Sequence, residues 1–233
     1  MSDLSTPTPL IRGVALTKEY PDGDVVALDG VNFEIHSGEY VAIMGPSGSG
    51  KSTLLSLLGT LDLPTSGRVE LDGRDVGLMG DLTELRRREI GFVFQSFYLL
   101  PTLNSLENVQ VPMFGTDRSP SERVAKAKEL VESVGMTERA KHLPNQLSVG
   151  QRQRIAIARS LANDPRLLLA DEPTGNLDSQ SAEGILELFA ELHERRKMTL
   201  VTVTHSEEVA SVAQRVLRVR DGRIESDTRN SVG

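Results

Sequence analysis

The chain contains no cysteine and no tryptophan, and aromatic residues make up only 4% of its 233 positions. Without cysteine there is no disulfide and no thiolate metal site, which fits a reducing compartment. No stretch approaches the roughly 18 to 20 consecutive apolar residues needed to cross a bilayer, so any membrane role has to come through a partner. Acidic residues outnumber basic ones: the formal net charge is -7. General nucleic-acid binding needs concentrated Lys and Arg to replace phosphate counterions, so no nucleic-acid partner is expected. The first residues, Met1 to Pro9, lack the cationic start and apolar stretch of a secretory signal and read as a loose polar arm. What remains, 38% hydrophobic and 25% charged, suits a protein with one sizeable core and room for an appended subdomain.

Polar and apolar residues roughly alternate over Val14 to Tyr20 and Val31 to Ile35, with Pro21-Asp22-Gly23 between them as a turn signal, so the N-terminal portion reads as β structure. Three apolar runs follow: Phe92-Val93-Phe94, Leu167-Leu168-Leu169-Ala170 and Leu200-Val201-Thr202-Val203-Thr204. Helical patterns lie between them, an arrangement that predicts a parallel sheet covered by helices. Ala182, Ile185, Leu186, Phe189 and Leu192 share one helical face, which predicts a helix packed on that sheet. From Gln95 to Ser160 there is no comparable β-rich run. Val124, Ala127, Val131 and Val134 instead form a helical stripe behind the cap-like Ser119-Pro120-Ser121-Glu122. The C-terminal stretch Val216 to Glu225 reads as a hairpin around Asp221-Gly222, and no internal repeat is present.

The densest chemistry lies in Gly45-Pro46-Ser47-Gly48-Ser49-Gly50-Lys51-Ser52-Thr53. It follows the strand-like Val41-Ala42-Ile43-Met44 and opens into the helix-like Leu54-Leu55-Ser56-Leu57-Leu58, the context that makes the run a phosphate-binding loop. Glycines let the backbone curl so that N-H groups face phosphate oxygens, and the helix adds its positive end. Lys51 is placed to reach the β- and γ-phosphates, and the Ser52 hydroxyl to take a coordination position on Mg²⁺. A nucleoside triphosphate is the expected ligand.

A second cluster sits at the end of Arg166-Leu167-Leu168-Leu169-Ala170-Asp171-Glu172, where strand C-termini of open α/β sheets meet ligands. Asp171 is placed to organise Mg²⁺ and its waters. Glu172, expected to point the other way by strand alternation, is placed to polarise the water that attacks the γ-phosphate.

Leu147-Ser148-Val149-Gly150-Gln151, ahead of Arg152-Gln153-Arg154-Ile155-Ala156-Ile157-Ala158-Arg159, is a short glycine-containing turn capping a long helix, a second anion-binding helix start. In position it resembles the LSGGQ signature of ATP-binding cassette (ABC) ATPases, and the resemblance runs from Tyr20 to about Gly222. It implies an α/β P-loop NTPase (RecA-like) core with an N-terminal antiparallel β subdomain and an inserted α-helical subdomain. The core with its β subdomain is expected over 10–94 and 160–226, the helical signature subdomain over 95–159, and flexible ends over 1–9 and 227–233.

Carried onto this chain, the resemblance places adenine stacking on Tyr20 and the nucleotide loop on Gly45 to Thr53. It places the γ-phosphate-sensing glutamine, also near the metal, on Gln95. The acids are Asp171 and Glu172, the D-loop is Asn176-Leu177-Asp178, and the switch histidine is His205. Ser148, Gly150 and Gln151 retain the signature, whereas Val149 stands where its first glycine belongs. A β-branched residue disfavours positive φ and adds bulk, so the loop is expected to be slightly displaced, with altered turnover rather than lost activity. His36, His142 and His193 match no motif.

Cassettes of this kind pack head to tail, each ATP lying between one chain's P-loop and the other's signature. The resemblance therefore implies a homodimer, or a dimer with a homologous cassette, that closes on ATP and opens after hydrolysis. The apolar segment Gln95 to Leu103, continuing to Asn108 and Val109, reads either as subdomain core or as a groove for a membrane subunit's coupling helix. With Leu58 to Asp62 and Asp171 to Ser179, the chain is most similar to the lipoprotein-releasing and macrolide-efflux group, which implies integral-membrane permease partners and a place on the cytoplasmic face of the membrane. The alternative is a soluble ABC ATPase acting on a cytosolic macromolecular partner; such proteins normally carry two cassettes or long insertions, which this chain lacks. A GTPase would show an Asn-Lys-x-Asp guanine motif, and none is present.

Overall fold

The computed structural model describes residues 8–20 and 25–230. In chain order the first elements are β1 (Ile11–Tyr20), β2 (Val25–Ile35), β3 (Tyr40–Met44), α1 (Lys51–Leu58), β4 (Ser66–Leu71), β5 (Arg74–Asp75), α2 (Leu82–Glu89) and β6 (Ile90–Val93). They are followed by α3 (Ser105–Gln110), α4 (Pro120–Ser133), α5 (Val149–Ser160), β7 (Leu167–Asp171), α6 (Ser179–Arg196), β8 (Thr199–Thr204), α7 (Glu207–Ser211), β9 (Arg215–Arg220) and β10 (Arg223–Arg229). The chain divides into two compact units, the first made of residues 1–82 and 197–233 and the second of residues 83–196.

In the first unit β1 pairs antiparallel with both β2 and β4, and β5 adds to β4. This is the N-terminal β structure expected from the alternation, though β1 and β2 extend beyond the alternating residues. The turn signal Pro21-Asp22-Gly23 lies outside the described residues. A parallel ladder stands beside it: β3 lies between β8 and β9 and runs parallel to both. All of Tyr40 to Met44 and all of Thr199 to Thr204 are buried, the pattern of strands covered on both faces. α1 carries Leu54, Leu57 and Leu58 into this core, each almost wholly buried. Fully burying one such side chain contributes about 1.5 to 3 kcal/mol.

The hairpin foreseen around Asp221-Gly222 is β9–β10, antiparallel, with both turn residues left-handed at φ 47 and 73. That is the two-residue geometry whose twist matches the flanking strands. β10 continues to Arg229, so residues 227–229 are strand rather than a loose end. Residues 1–7 and 231–233 of the expected flexible ends lie outside the described residues.

The second unit pairs β6 parallel with β7. Its helices follow local chemistry closely. Ser119 caps α4 by accepting from the Glu122 N-H, the Glu122 carboxylate accepts from the Ser119 N-H in return, and Pro120 sits at the first helical position. Ala127, Val131 and Val134 of the foreseen stripe are buried. α6 buries Ile185, Leu186, Phe189 and Leu192 as read from the periodicity, and Leu188 in addition. No strand interrupts the described chain between β6 and β7. The apolar segment after Gln95 divides: Val109 is fully buried, whereas Tyr98 is 64% exposed and Leu100 43%.

Candidate nucleotide site

Each unit presents one part of the chemistry. In the first, Gly45 leaves the C-terminal end of β3 and His205 the C-terminal end of β8, and the two strands are paired at Met44 and Thr204. The P-loop between β3 and α1 is built by its glycines. Gly48 and Gly50 have φ of 79 and 102, and a Cβ on Gly50 would lie 2.3 Å from the Ala27 carbonyl oxygen of β2. Only glycine takes that conformation at that distance. Gly50 is the N-cap of α1 and offers no side-chain acceptor, so the first N-H groups of the helix stay turned toward the loop. Lys51 is 8% exposed, and its ammonium donates to the Gly45 and Pro46 carbonyls at 2.8 Å each. Ser52 is exposed on the first turn. The hairpin tip braces the loop, because the Gly222 N-H donates to the Ser49 carbonyl at 3.1 Å.

Tyr20 ends β1 and is 40% exposed. Its hydroxyl donates to Asp62 Oδ2 at 3.3 Å, and the Lys18 ammonium lies 5.2 Å from the ring centroid. His205 is exposed between β8 and Ser206; the Ser206 N-H donates to Thr204 Oγ1 at 3.0 Å, and the Ser206 hydroxyl caps α7.

In the second unit Gln95 follows β6, Asp171 is the last residue of β7 and Glu172 comes next; these strands pair at Val93 and Ala170. The Gln95 amide donates to Asn176 Oδ1 at 3.4 Å, and Asn176 Nδ2 donates to the Gln95 carbonyl at 3.0 Å. The glutamine and the D-loop are thus held together. Glu172 differs from the alternation argument: β7 ends at Asp171, and Glu172 has φ 44. Its direction is set by a left-handed turn, closed by the Gly175 N-H donating to the Glu172 carbonyl at 3.1 Å, rather than by the pleat. A non-glycine residue there stores strain of order 1 to 3 kcal/mol, a feature that concentrates at working sites.

The signature turn is a reciprocal cap. Ser148 Oγ accepts from the Gln151 N-H at 3.2 Å, and Gln151 Oε1 accepts from the Ser148 N-H at 3.0 Å. Val149 is the first residue of α5 and has no positive φ, so the backbone strain expected of its branch does not arise. Gly150 packs on α6: a Cβ there would stand 2.9 Å from Ser181 Oγ. Asp178 accepts from both the N-H and the hydroxyl of Ser181 at 2.9 Å, and these bonds, the backbone one foremost, hold its carboxyl below the usual range. Gln153, fully buried, ties α5 to the acidic turn by donating to the Pro173 carbonyl at 2.8 Å.

Sequence reasoning missed the anchoring roles of Lys18, Asp62 and Gln153. Lys18 carried a signal, since residues two apart on a strand share a face and it precedes Tyr20 by two. The others act across long sequence separations and carried none.

Residues 28–175 match the family model described as ABC transporter. The chain is 56% identical over 223 residues to an uncharacterized ABC transporter ATP-binding protein of Thermotoga maritima, covering 94% of this chain and 95% of that one. It is 49% identical to the macrolide export ATP-binding/permease protein MacB of Brucella abortus, covering 94% of this chain but 34% of MacB, so it spans about a third of that relative. Among solved structures, a dimeric post-hydrolysis state of the ATP-binding cassette MJ0796 bound to ADP and Pi superposes with a TM-score of 0.86 at 44% identity, covering 94% of this chain and 98% of the other. With a phosphate cradle before α1 and a capped signature turn before α5, the chain belongs to the ABC transporter family, as an ATP-binding and ATP-hydrolysing cassette.

Proposed function

We propose that this cassette binds ATP with Mg²⁺ between two copies, or between itself and a homologous cassette, and that closing and reopening of the pair drives a membrane permease of the macrolide-export or lipoprotein-releasing kind from the cytoplasmic face. The observation that carries the reading is the reciprocal Ser148–Gln151 cap, which turns the start of α5 into a second anion site on a chain that already has a P-loop. The dimeric cassette with ADP and Pi and the export role named for MacB support the pairing and the permease. No helix among the described residues is long and apolar enough to cross a membrane.

The roles follow from chemistry at each position. The P-loop amides and Lys51 hold the β- and γ-phosphates, the ammonium exchanging its carbonyl partners for phosphate oxygens. Tyr20 stacks on adenine. The Ser52 hydroxyl, the Asp171 carboxylate and the Gln95 amide oxygen are hard oxygen donors that suit Mg²⁺, which when bound neutralises phosphate charge. Glu172 polarises the attacking water, and His205 donates a hydrogen bond to the γ-phosphate. Ser148, Gly150 and Gln151 complete the partner copy's site, and Asp178, fixed by Ser181, borders it.

To test the coupling, the tagged chain is coexpressed with its genomic neighbours and extracted from membranes in mild detergent. A multi-span protein that copurifies and alters the ATPase rate is the expected result. An ATPase that leaves the membrane fraction alone and is stimulated by a soluble partner would overturn the permease reading.

A further inference from the structure

We propose that Asp62 is a positioning residue for nucleotide recognition: its carboxylate holds the Tyr20 ring in register with the phosphate cradle through α1. The inference rests on the reading of Tyr20 as the base platform. Asp62 Oδ2 accepts from the Tyr20 hydroxyl at 3.3 Å, and Asp62 Oδ1 accepts from Lys18 Nζ at 2.7 Å. The same ammonium donates to the Leu63 carbonyl at 2.9 Å and lies over the Tyr20 ring. Lys18 is thus nearly sequestered, its side chain 13% exposed against 35% for Asp62. One carboxylate therefore fixes the tip of the ring and, through Lys18, one of its faces, leaving the ring no free rotation about its own axis without breaking a charged contact.

The Asp62 backbone is in turn tied to the end of α1. Gly59 donates to the Leu55 carbonyl at 2.9 Å and Leu61 to the Ser56 carbonyl at 2.9 Å, around a left-handed Thr60 at φ 53. α1 begins at Lys51, inside the phosphate cradle. A helix of this length is about 12 Å from end to end at 1.5 Å per residue, and it does not stretch. The phosphates sit at its N-terminus and the anchor of the base platform at its C-terminus, so α1 sets the distance between the two ends of the nucleotide. A ring on the end of a strand without this anchor would have to be ordered by the ligand itself, at a cost in affinity.

Removal of the carboxylate frees the ring and leaves the P-loop, Asp171 and Glu172 untouched. Asp62→Ala is therefore expected to weaken ATP binding about fivefold, the scale of a lost cation–π and stacking arrangement, with kcat at saturating ATP kept. The experiment measures binding of ATP and of inorganic tripolyphosphate, each with Mg²⁺, to the purified full chain and to Asp62→Ala, Asp62→Asn, Tyr20→Ala and the Asp62→Ala/Tyr20→Ala pair. The expected pattern is weaker ATP binding in all four, unchanged tripolyphosphate binding, and a double variant no weaker than Tyr20→Ala alone. If Asp62→Ala binds ATP normally while Tyr20→Ala does not, the anchoring role is wrong and the platform reading stands. Normal ATP binding by Tyr20→Ala would overturn the platform and the anchor together. Equal weakening of ATP and tripolyphosphate by Asp62→Ala would place its effect on the P-loop and overturn the inference.

Discussion

Arg159 holds the carbonyl of Phe97: its Nη2 donates to that oxygen at 2.6 Å, and its Nη1 donates to the next carbonyl, Tyr98, at 2.5 Å. Phe97 and Tyr98 are consecutive left-handed residues with φ of 60 and 47. The guanidinium, whose pKa is lowered by burial, sits near the C-terminal end of α5. Hydrogen bonds from a charged donor contribute roughly 1.5 to 3 kcal/mol each, and the relaxation of two strained residues offsets part of their loss, so Arg159→Ala should destabilise the chain by about 2 kcal/mol. Gln95 lies two residues before Phe97, so the ATPase rate should fall as well, and Arg159→Lys should restore part of both. Urea unfolding and steady-state ATPase on the three proteins check this; an unchanged midpoint for Arg159→Ala would show that the turn holds itself.

The two left-handed glycines of the P-loop should not be equally tolerant. A Cβ on Gly48 meets nothing within 4 Å, whereas one on Gly50 would stand 2.3 Å from the Ala27 carbonyl. Gly48→Ala carries only the left-handed penalty of about 1 to 2 kcal/mol. Gly50→Ala must also push β2 and α1 apart, and it is expected to lose ATP binding while Gly48→Ala keeps a measurable affinity. Equal affinities in a titration with ATP would contradict this.

Much of the site was legible because its chemistry is local. Gly48, Gly50 and Lys51 lie within one turn between a strand and a helix, and the Ser119–Glu122 and Ser148–Gln151 caps are three-residue relationships that sequence displays directly. The parallel strands β3, β7 and β8 announced themselves as unbroken apolar runs because both of their faces are covered. What could not be read was long-range or conformational. Lys18 meets Asp62 across 44 residues, and Arg159 meets Phe97 across 62, pairings that no spacing rule encodes. Glu172 lies in a left-handed turn past the last ladder partner, so the strand alternation used to place it does not extend that far. At Val149 the error was of the opposite kind: the family pattern suggested a strained loop residue, yet the Ser148 cap places position 149 already inside the helix.

That placement makes Val149→Gly a discriminating substitution. With helical backbone at position 149, glycine relieves no strain and instead weakens the helix start by up to about 1 kcal/mol. ATPase activity of Val149→Gly should lie within about twofold of the native rate, RT ln 2 being well under 1 kcal/mol, and thermal stability should fall slightly. A large gain in rate would show that the valine side chain, not its backbone, obstructs the site.

The C-terminal hairpin carries a pH-dependent pair. Arg215 donates to both oxygens of Asp227, at 2.7 and 2.6 Å, and this bonding holds the Asp227 carboxyl below its usual range. A carboxylate whose folded pKa is depressed adds stability that is fully present above its unfolded value of about 3.9 and is lost as pH falls through the lower folded value. Asp227→Asn should therefore lower the urea midpoint at pH 7, and by less at pH 3. A gap between the two proteins that is the same at both pH values would exclude the charge pair as its source.

Glu172 and ATP-driven pairing meet in one substitution. If Glu172 polarises the attacking water, Glu172→Gln keeps the shape of the strained turn and its Gly175 contact but removes the basic oxygen. The ATPase rate should fall by about 10² or more, the usual contribution of a positioned base. Binding should survive, since the P-loop and Lys51 are untouched. ATP that is bound but not cleaved stays between the two copies, so the variant should elute as a dimer with ATP and as a monomer with ADP. Size-exclusion chromatography with each nucleotide, beside a phosphate-release assay, separates the outcomes. Lost hydrolysis without ATP-dependent dimers would leave Glu172 as the base and remove the sandwiched pair; hydrolysis equal to that of the native chain would remove the base assignment itself.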